Sequence, residues 1–181
     1  MRKTILKYGL ISGAIISVLM SATVPFAHQI GFERGMFVGY TTMVLAFMMV
    51  FLGIRSYRDN EGNGQISFGR AFAIGISITL IMSFCYVFTW EIIYFNFMPN
   101  FMDDYAAHMV EKMKASGATA AAIQTQIQEM EKFKEMYKNP IINCLMTFIE
   151  PFPVGLLITL ISAAILRRKP GSQPGGTPQV A

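Results

Sequence analysis

The sequence predicts an all-α membrane protein: a bundle of four transmembrane helices with an extracytoplasmic helical hairpin between the third and fourth spans. Three observations lead there. Of 181 residues, 53% are apolar and 14% charged, and the mean hydropathy is +0.44, a balance too apolar for an ordinary water-soluble domain. The apolar residues are gathered into four long runs. The basic residues that produce a net charge of +4 stand mainly at the ends of those runs, as they do in membrane proteins, which argues against nucleic acid as a partner.

A helix rises about 1.5 Å per residue, so roughly 20 apolar residues are needed to cross about 30 Å of hydrocarbon. Runs at 5–27, 35–54, 70–98 and 141–166 meet that requirement. Arg2, Lys3 and Lys7 at the start also fit the charged opening of a secretory signal peptide. The apolar run is long for that, however, and no small-x-small cleavage site follows, so it reads as the first span. A short hinge over 28–34 turns the chain back. Between the second and third spans, 59–67 is rich in turn-forming residues and ends in Ser67, whose hydroxyl can cap the third helix.

Orientation follows from the crowding of Lys and Arg. Arg2, Lys3 and Lys7, then Arg55, Arg58 and Arg70, then Arg167, Arg168 and Lys169 mark the cytoplasmic side, which places both termini there. The opposite side carries Arg34 and five lysines, Lys112, Lys114, Lys132, Lys134 and Lys138, spread through a longer loop and mixed with acids. That loop, 99–139, is charged and alanine-rich with helical periodicity. Met102, Tyr105, Met109 and Met113 form one stripe; Ile123, Ile127, Met130, Phe133 and Met136 form another, with Ser116 and Gly117 between them. The stripes are expected to face each other or the membrane surface. Methionine fills irregular contacts, and no Met-x-Met or His-rich cluster fixes a geometry for a soft metal ion, so no metal is predicted. The tail, 170–181, is Pro- and Gly-rich and is expected to be disordered. Cys85 and Cys144 both fall within apolar runs and read as packing residues.

Polar residues inside the spans are the candidates for function. Glu91 lies on the third span and Glu150 on the fourth; ionisable groups at such depths face the protein interior or a hydrated pocket. By helical rise both belong to the outer half of their spans, where they can share one pocket. Pro151 and Pro153 follow Glu150, and proline inside a helix removes backbone hydrogen bonds and frees carbonyls. Trp90 and Tyr94 flank Glu91 and serve either that polar site or the outer membrane interface. Gly9, Gly13, Gly69 and Gly75 would permit close helix approach; the Gly9-x-x-x-Gly13 spacing matches a common dimer motif but reads here as packing.

Several segments carry a resemblance: Tyr8-Gly9, Leu52-Gly53-Ile54-Arg55, Ile66-Ser67-Phe68-Gly69-Arg70-Ala71-Phe72, Pro99, Glu150-Pro151-Phe152-Pro153-Val154-Gly155, and the run from Leu160 to Arg168. With them the chain resembles the bacterial domain-of-unknown-function 4199 family of small four-span membrane proteins, over about residues 3–169. The resemblance implies a bacterial inner-membrane protein and brings no catalytic residue or ligand with it.

No Walker loop, nucleophile motif, His-rich zinc motif or dinucleotide fingerprint is present in the sequence. The leading expectation is therefore a non-enzymatic scaffold or interaction subunit, without cofactor, that meets the lipid bilayer and either itself or a membrane or periplasmic protein. The alternative is a small oligomeric transporter or proton-coupled permeation protein working through Glu91 and Glu150. A lipid-acting membrane enzyme ranks third, because paired carboxylates lack an accompanying nucleophile.

Overall fold

The computed structural model describes residues 1–168, His28 by its backbone only. The tail expected to be disordered lies outside the described residues. Among the described residues seven α-helices follow one another: α1 (Arg2–Thr23), α2 (Ala27–Asn60), α3 (Phe68–Phe97), α4 (Phe101–Ala115), α5 (Ala120–Tyr137), α6 (Pro140–Ile149) and α7 (Pro151–Leu166). Four helical stretches, Arg2–Phe26, Gln29–Asn60, Phe68–Phe97 and Pro140–Leu166, are long and apolar enough to cross a membrane. The 30 residues of α3 extend about 45 Å, more than the roughly 30 Å of a hydrocarbon core.

The distribution of side chains fits that solvent. Large apolar residues point outward, among them Phe37 at 76% exposure, Ile141 at 72% and Phe88 at 69%. The interior combines large apolar side chains, Phe47, Met43, Ile54, Ile74, Ile78 and Met82, with small and hydroxyl-bearing ones: Ser12, Thr79, Ser83, Thr159 and Ser162 are buried beside Ala46, Ala71 and Ala163. Lipid solvates large apolar side chains as well as a protein core does, so packing between spans depends on backbones approaching closely.

Glycine makes those approaches possible. A Cβ on Gly75 would stand 2.7 Å from the Thr159 methyl, and one on Gly155 would collide with the Thr79 methyl and come 2.6 Å from the Phe47 ring. Gly75-x-x-x-Thr79 on α3 thus meets Gly155-x-x-x-Thr159 on α7 in opposite directions, each glycine receiving the other helix's threonine. The two hydroxyls are 3.0 Å apart, and Thr79 also reaches the Gly155 carbonyl at 3.4 Å. Helix α1 runs alongside α3 in the same direction: Gly9 faces Ile81, Gly13 faces Cys85, and the Ser17 and Thr89 hydroxyls meet at 2.7 Å, the same offset at each level. The Ser12 hydroxyl donates to the Ala46 carbonyl of α2 at 2.7 Å. Gly9 and Gly13 are therefore occupied inside one copy. Gly69, in contrast, has open space around it.

At one end the chain is tied together through 61–67. Asn63 (φ 49°) and Gly64 (φ 77°) adopt left-handed conformations that complete the turn, and the Ser67 hydroxyl caps α3 by accepting from the Arg70 N–H at 3.4 Å. Ile66 exchanges backbone hydrogen bonds with Arg168 at 2.9 and 3.3 Å, and Glu61 accepts from the terminal amine and the Thr4 hydroxyl. At the other end, a 3₁₀ turn at Val24–Phe26 and a left-handed Gly31 (φ 72°) reverse the chain, straddling the start of the expected hinge. The helical conformation of α2 runs beyond the apolar stretch 35–54 on both sides, because Phe32–Arg34 and Arg55–Asn60 are compatible with helix outside hydrocarbon. Helix α4 lies over this end: Phe32 packs on Phe101, Tyr105 and His108 with ring centroids 5.8, 5.7 and 5.1 Å away, and Lys112 pairs with Glu33 at 2.8 Å. Helix α5 returns along α4, linked to it by Lys134 and Asp103. Of the residues in the two stripes, Met102 is buried and Phe133 packs beside it, whereas Met136 is exposed.

Two outcomes follow. Gly155→Val overfills the α3–α7 contact and lowers stability by about 1–3 kcal/mol or more, whereas Gly39→Ala, which meets nothing within 4 Å, is neutral or stabilising by up to about 1 kcal/mol; thermal unfolding in detergent ranks the two. The hydrogen bonds from the terminal amine and Thr4 hold the Glu61 carboxyl below its ordinary value of 4.5. That contribution is complete above the ordinary value and fades as pH falls through the lowered one. Glu61→Gln accordingly loses less thermal stability on acidification than the unsubstituted protein does.

Candidate functional site

Helix α6 begins with a cap that the amino-acid pattern supplies: the Asn139 side chain accepts from the Ile141 and Ile142 N–H groups at 3.0 and 3.5 Å, with Pro140 at the first helical position. From there Asn143, Thr147 and Glu150 recur at spacings of four and three and share one face. The helix stops at Ile149. Pro151 has no N–H to offer the Thr147 carbonyl, which instead accepts from the Glu150 N–H at 3.3 Å in a tightened turn. Pro153 likewise has none for the Ile149 carbonyl. The fourth apolar stretch is thus two helices, α6 and α7, with Glu150 at the break and Pro151 fully buried against the interior.

Opposite that break stands the C-terminal half of α3, where Tyr86, Trp90 and Tyr94 are four residues apart on one stripe. The Tyr86 hydroxyl donates to Glu150 Oε2 at 2.8 Å. One turn outward, the Trp90 Nε1–H donates to the Tyr137 hydroxyl at 3.2 Å. An indole N–H can only donate, so the Tyr137 proton is free to pass to Thr147 Oγ1 at 3.3 Å; the Thr147 hydroxyl in turn donates to Asn143 Oδ1 at 3.0 Å. The circuit closes where Asn143 Nδ2 donates to the Tyr137 carbonyl at 3.4 Å. Tyr94, 7% exposed, packs edge-on against Tyr137 with ring centroids 5.3 Å apart, and Trp90 packs edge-on against Phe101 at 5.0 Å. Trp90 and Tyr94 therefore join an inward cluster that docks the end of α5 onto α3 and α6.

Glu91 follows a different course. It is turned from the Tyr86 stripe toward α6, where the Cys144 thiol lies beside its carboxyl, and its Oε1 is buried with no hydrogen-bond partner among the described residues. Leaving such an oxygen unsatisfied costs about 1–3 kcal/mol. Cys144 and Glu150 are separated by six positions, about 9 Å of helical rise, and each carboxyl keeps its own neighbour. Tyr137 is the group whose hydroxyl feels both carboxyls. Burial pushes that phenol above its ordinary range and the two carboxyls add to the shift, outweighing the lowering that comes with its hydrogen bonds to Thr147 and Trp90. It stays protonated near neutrality and available as a donor.

Of the expected site residues Trp90, Glu91, Tyr94, Glu150 and Pro151, Glu150 and Trp90 have hydrogen-bond partners that the sequence reading does not name, and Glu91 stands outside that network. Tyr137, Asn143, Thr147 and Tyr86 were missed. Two signals were present: an asparagine inside an apolar run, four and seven residues before a threonine and a glutamate, and a stripe of three aromatic residues spaced by four and ending at Tyr94. Tyr137 sits beyond the apolar run and had no local signal.

Tyr137→Phe removes the hydroxyl shared by Trp90 and Thr147, leaving the Trp90 N–H without an acceptor and the Thr147 oxygen without that donor. The expected cost is about 1–3 kcal/mol, read as a lower unfolding temperature. Trp90 is the single tryptophan, so its emission reports directly on the change; an unaltered spectrum and melting point would contradict the network.

No curated protein and no solved structure matches the chain. The sequence model of one family, described as "Protein of unknown function (DUF4199)", matches residues 7–168. That match takes in the first span from Lys7 onward, the other three whole, both carboxyls and the whole Trp90–Tyr137–Asn143 circuit, and the chain belongs to this family.

Proposed function

We propose that the chain is a non-enzymatic scaffold or interaction subunit of the bacterial inner membrane, a four-helix bundle with both termini cytoplasmic and α4–α5 as an extracytoplasmic hairpin. One observation carries this reading: the spans approach so closely around α3 that a single added carbon at Gly9, Gly75 or Gly155 meets the facing helix below 3.0 Å. Contacts of that kind leave no width for a substrate path within one copy. The charged outer faces of α4 and α5 are then the surfaces that a membrane or periplasmic protein partner would meet. The proposed orientation is supported by the convergence of the basic segments at 2–7, 55–58 and 167–168 on the 61–67 turn.

A second reading, a proton-coupled permeation unit assembled from several copies, is favoured by a separate observation. Glu91 holds a buried oxygen without a donor among the described residues and Glu150 stands at a helix break, and ionisable groups within membrane spans commonly mark proton pathways.

Reconstitution into vesicles under an imposed pH gradient separates the readings. For a scaffold, proton leak equals that of empty vesicles and photocross-linkers at Gln124 and Gln128, on the exposed side of α5, capture the same bands in the unsubstituted protein and in Glu150→Gln. Proton flux that disappears in Glu91→Gln or Glu150→Gln, with the unfolding temperature preserved, would overturn the scaffold reading in favour of permeation.

A further inference from the structure

The end of the molecule bearing the 61–67 turn is strongly basic, and its basic groups divide into two sets. Arg55 and Arg58 both pair with Asp59, at 3.6 and 2.7 Å; the terminal amine pairs with Glu61, which also feels Lys3; and the Lys7 ammonium lies 5.6 Å from the Tyr8 ring centroid. These cations have neighbours that offset their charge. Arg2, Arg70, Arg167 and Arg168 are exposed and make no ion pair among the described residues, and 169–181 contains no Asp or Glu side chain to supply one; Arg2 opens α1, while the other three belong to the ends of α3 and α7.

The fold brings these three together. The backbone bridge between Ile66 and Arg168 fastens the end of α7 beside the start of α3, and Arg70 lies one helical turn along from Ile66. The first turn of α3 adds its own N–H groups, with open space beside Gly69. Apolar side chains flank these positions: the exposed Phe68, two residues before Arg70, stacks on the half-buried Phe72 two residues after it, and the exposed Ile161 and Ile165 precede Arg167 on α7.

We propose that the junction of α3 and α7 formed by Arg70, Arg167 and Arg168 binds the phosphate headgroup of an anionic phospholipid, whose acyl chains lie along the adjoining apolar faces. Guanidinium groups suit this role because each presents a planar fork of donors to a phosphate. Free phosphate would satisfy the charge alone; the neighbouring apolar surface is what selects a lipid. The site is independent of whether the protein acts as a scaffold or conducts protons.

Native mass spectrometry of the full chain tests it, with phosphatidylglycerol, phosphatidylcholine of the same acyl chains, and inorganic phosphate as probes. Phosphatidylglycerol should bind the unsubstituted protein more tightly than phosphatidylcholine, and the triple substitution Arg70→Gln, Arg167→Gln, Arg168→Gln should weaken it roughly tenfold or more. A control with Arg34→Gln, Lys114→Gln and Lys132→Gln removes the same charge from the other end and should keep full binding. The triple arginine-to-lysine variant should recover part of it, which distinguishes loss of the site from loss of fold. Equal binding of the two lipids, equal loss in both charge-removed triples, or competition by inorganic phosphate at the lipid's own concentration would overturn the proposal.

Discussion

The reciprocal contact between Gly75-x-x-x-Thr79 and Gly155-x-x-x-Thr159 is the constraint on which the rest of the arrangement depends. In a lipid solvent the burial of large apolar side chains does little to hold helices together, and close backbone contact with well-directed hydroxyls takes over. At this crossing each threonine methyl occupies the space that the opposite glycine leaves, and the two hydroxyls meet at 3.0 Å. Helix α3 then becomes the shared wall: its other side receives α1 through Gly9, Gly13 and Ser17, while Phe47 of α2 closes against Gly155. The hydrogen bonds between Ile66 and Arg168 extend the same α3–α7 pairing beyond the helices.

That pairing also accounts for the position of the polar site. With α7 held against α3 at its glycine, the break at Glu150 falls opposite Tyr86, and α6 continues outward along the Trp90 face. A continuous helix would have satisfied the Thr147 carbonyl through residue 151; proline there moves that bond to Glu150 and leaves the carboxyl at a terminus. The outer helices are joined to the spans through the same elements, since Tyr137 closes α5 and its hydroxyl lies between Trp90 and Thr147. The end of α5 and the polar residues of α3 and α6 therefore share one hydrogen-bonded circuit.

Much of this was legible in the sequence, for identifiable reasons. Apolar runs of sufficient length mark spans whatever their packing, and the turn residues at 59–67 with Ser67 behind them specify a capped α3 through local chemistry alone. Glu91 and Glu150 stand out because carboxyls are rare in apolar runs. Pairwise geometry was not legible. Gly9, Gly13, Gly69 and Gly75 look equivalent on the page, yet Gly69 meets open space while the other three meet a neighbouring helix, a difference set by which face each helix turns inward. The threonines of the α3–α7 crossing gave no separate signal, because a hydroxyl in an apolar run can bond its own helix as easily as another, as Thr89 does with the Cys85 carbonyl. Tyr137 escaped for a related reason: its role is created by residues on α3 and α6, far from it in the chain or across a helix boundary.

The measurement that tests the account most directly is disulfide formation between Thr79→Cys and Thr159→Cys in membranes, with Cys85 and Cys144 replaced by alanine. The two threonine hydroxyls lie 3.0 Å apart, a separation that brings the substituted sulfurs within reach of bonding. The account predicts rapid cross-linking within a single copy, seen as loss of both thiols without a change in subunit number. Cross-linking between copies, or persistence of free thiols under oxidation, would contradict it.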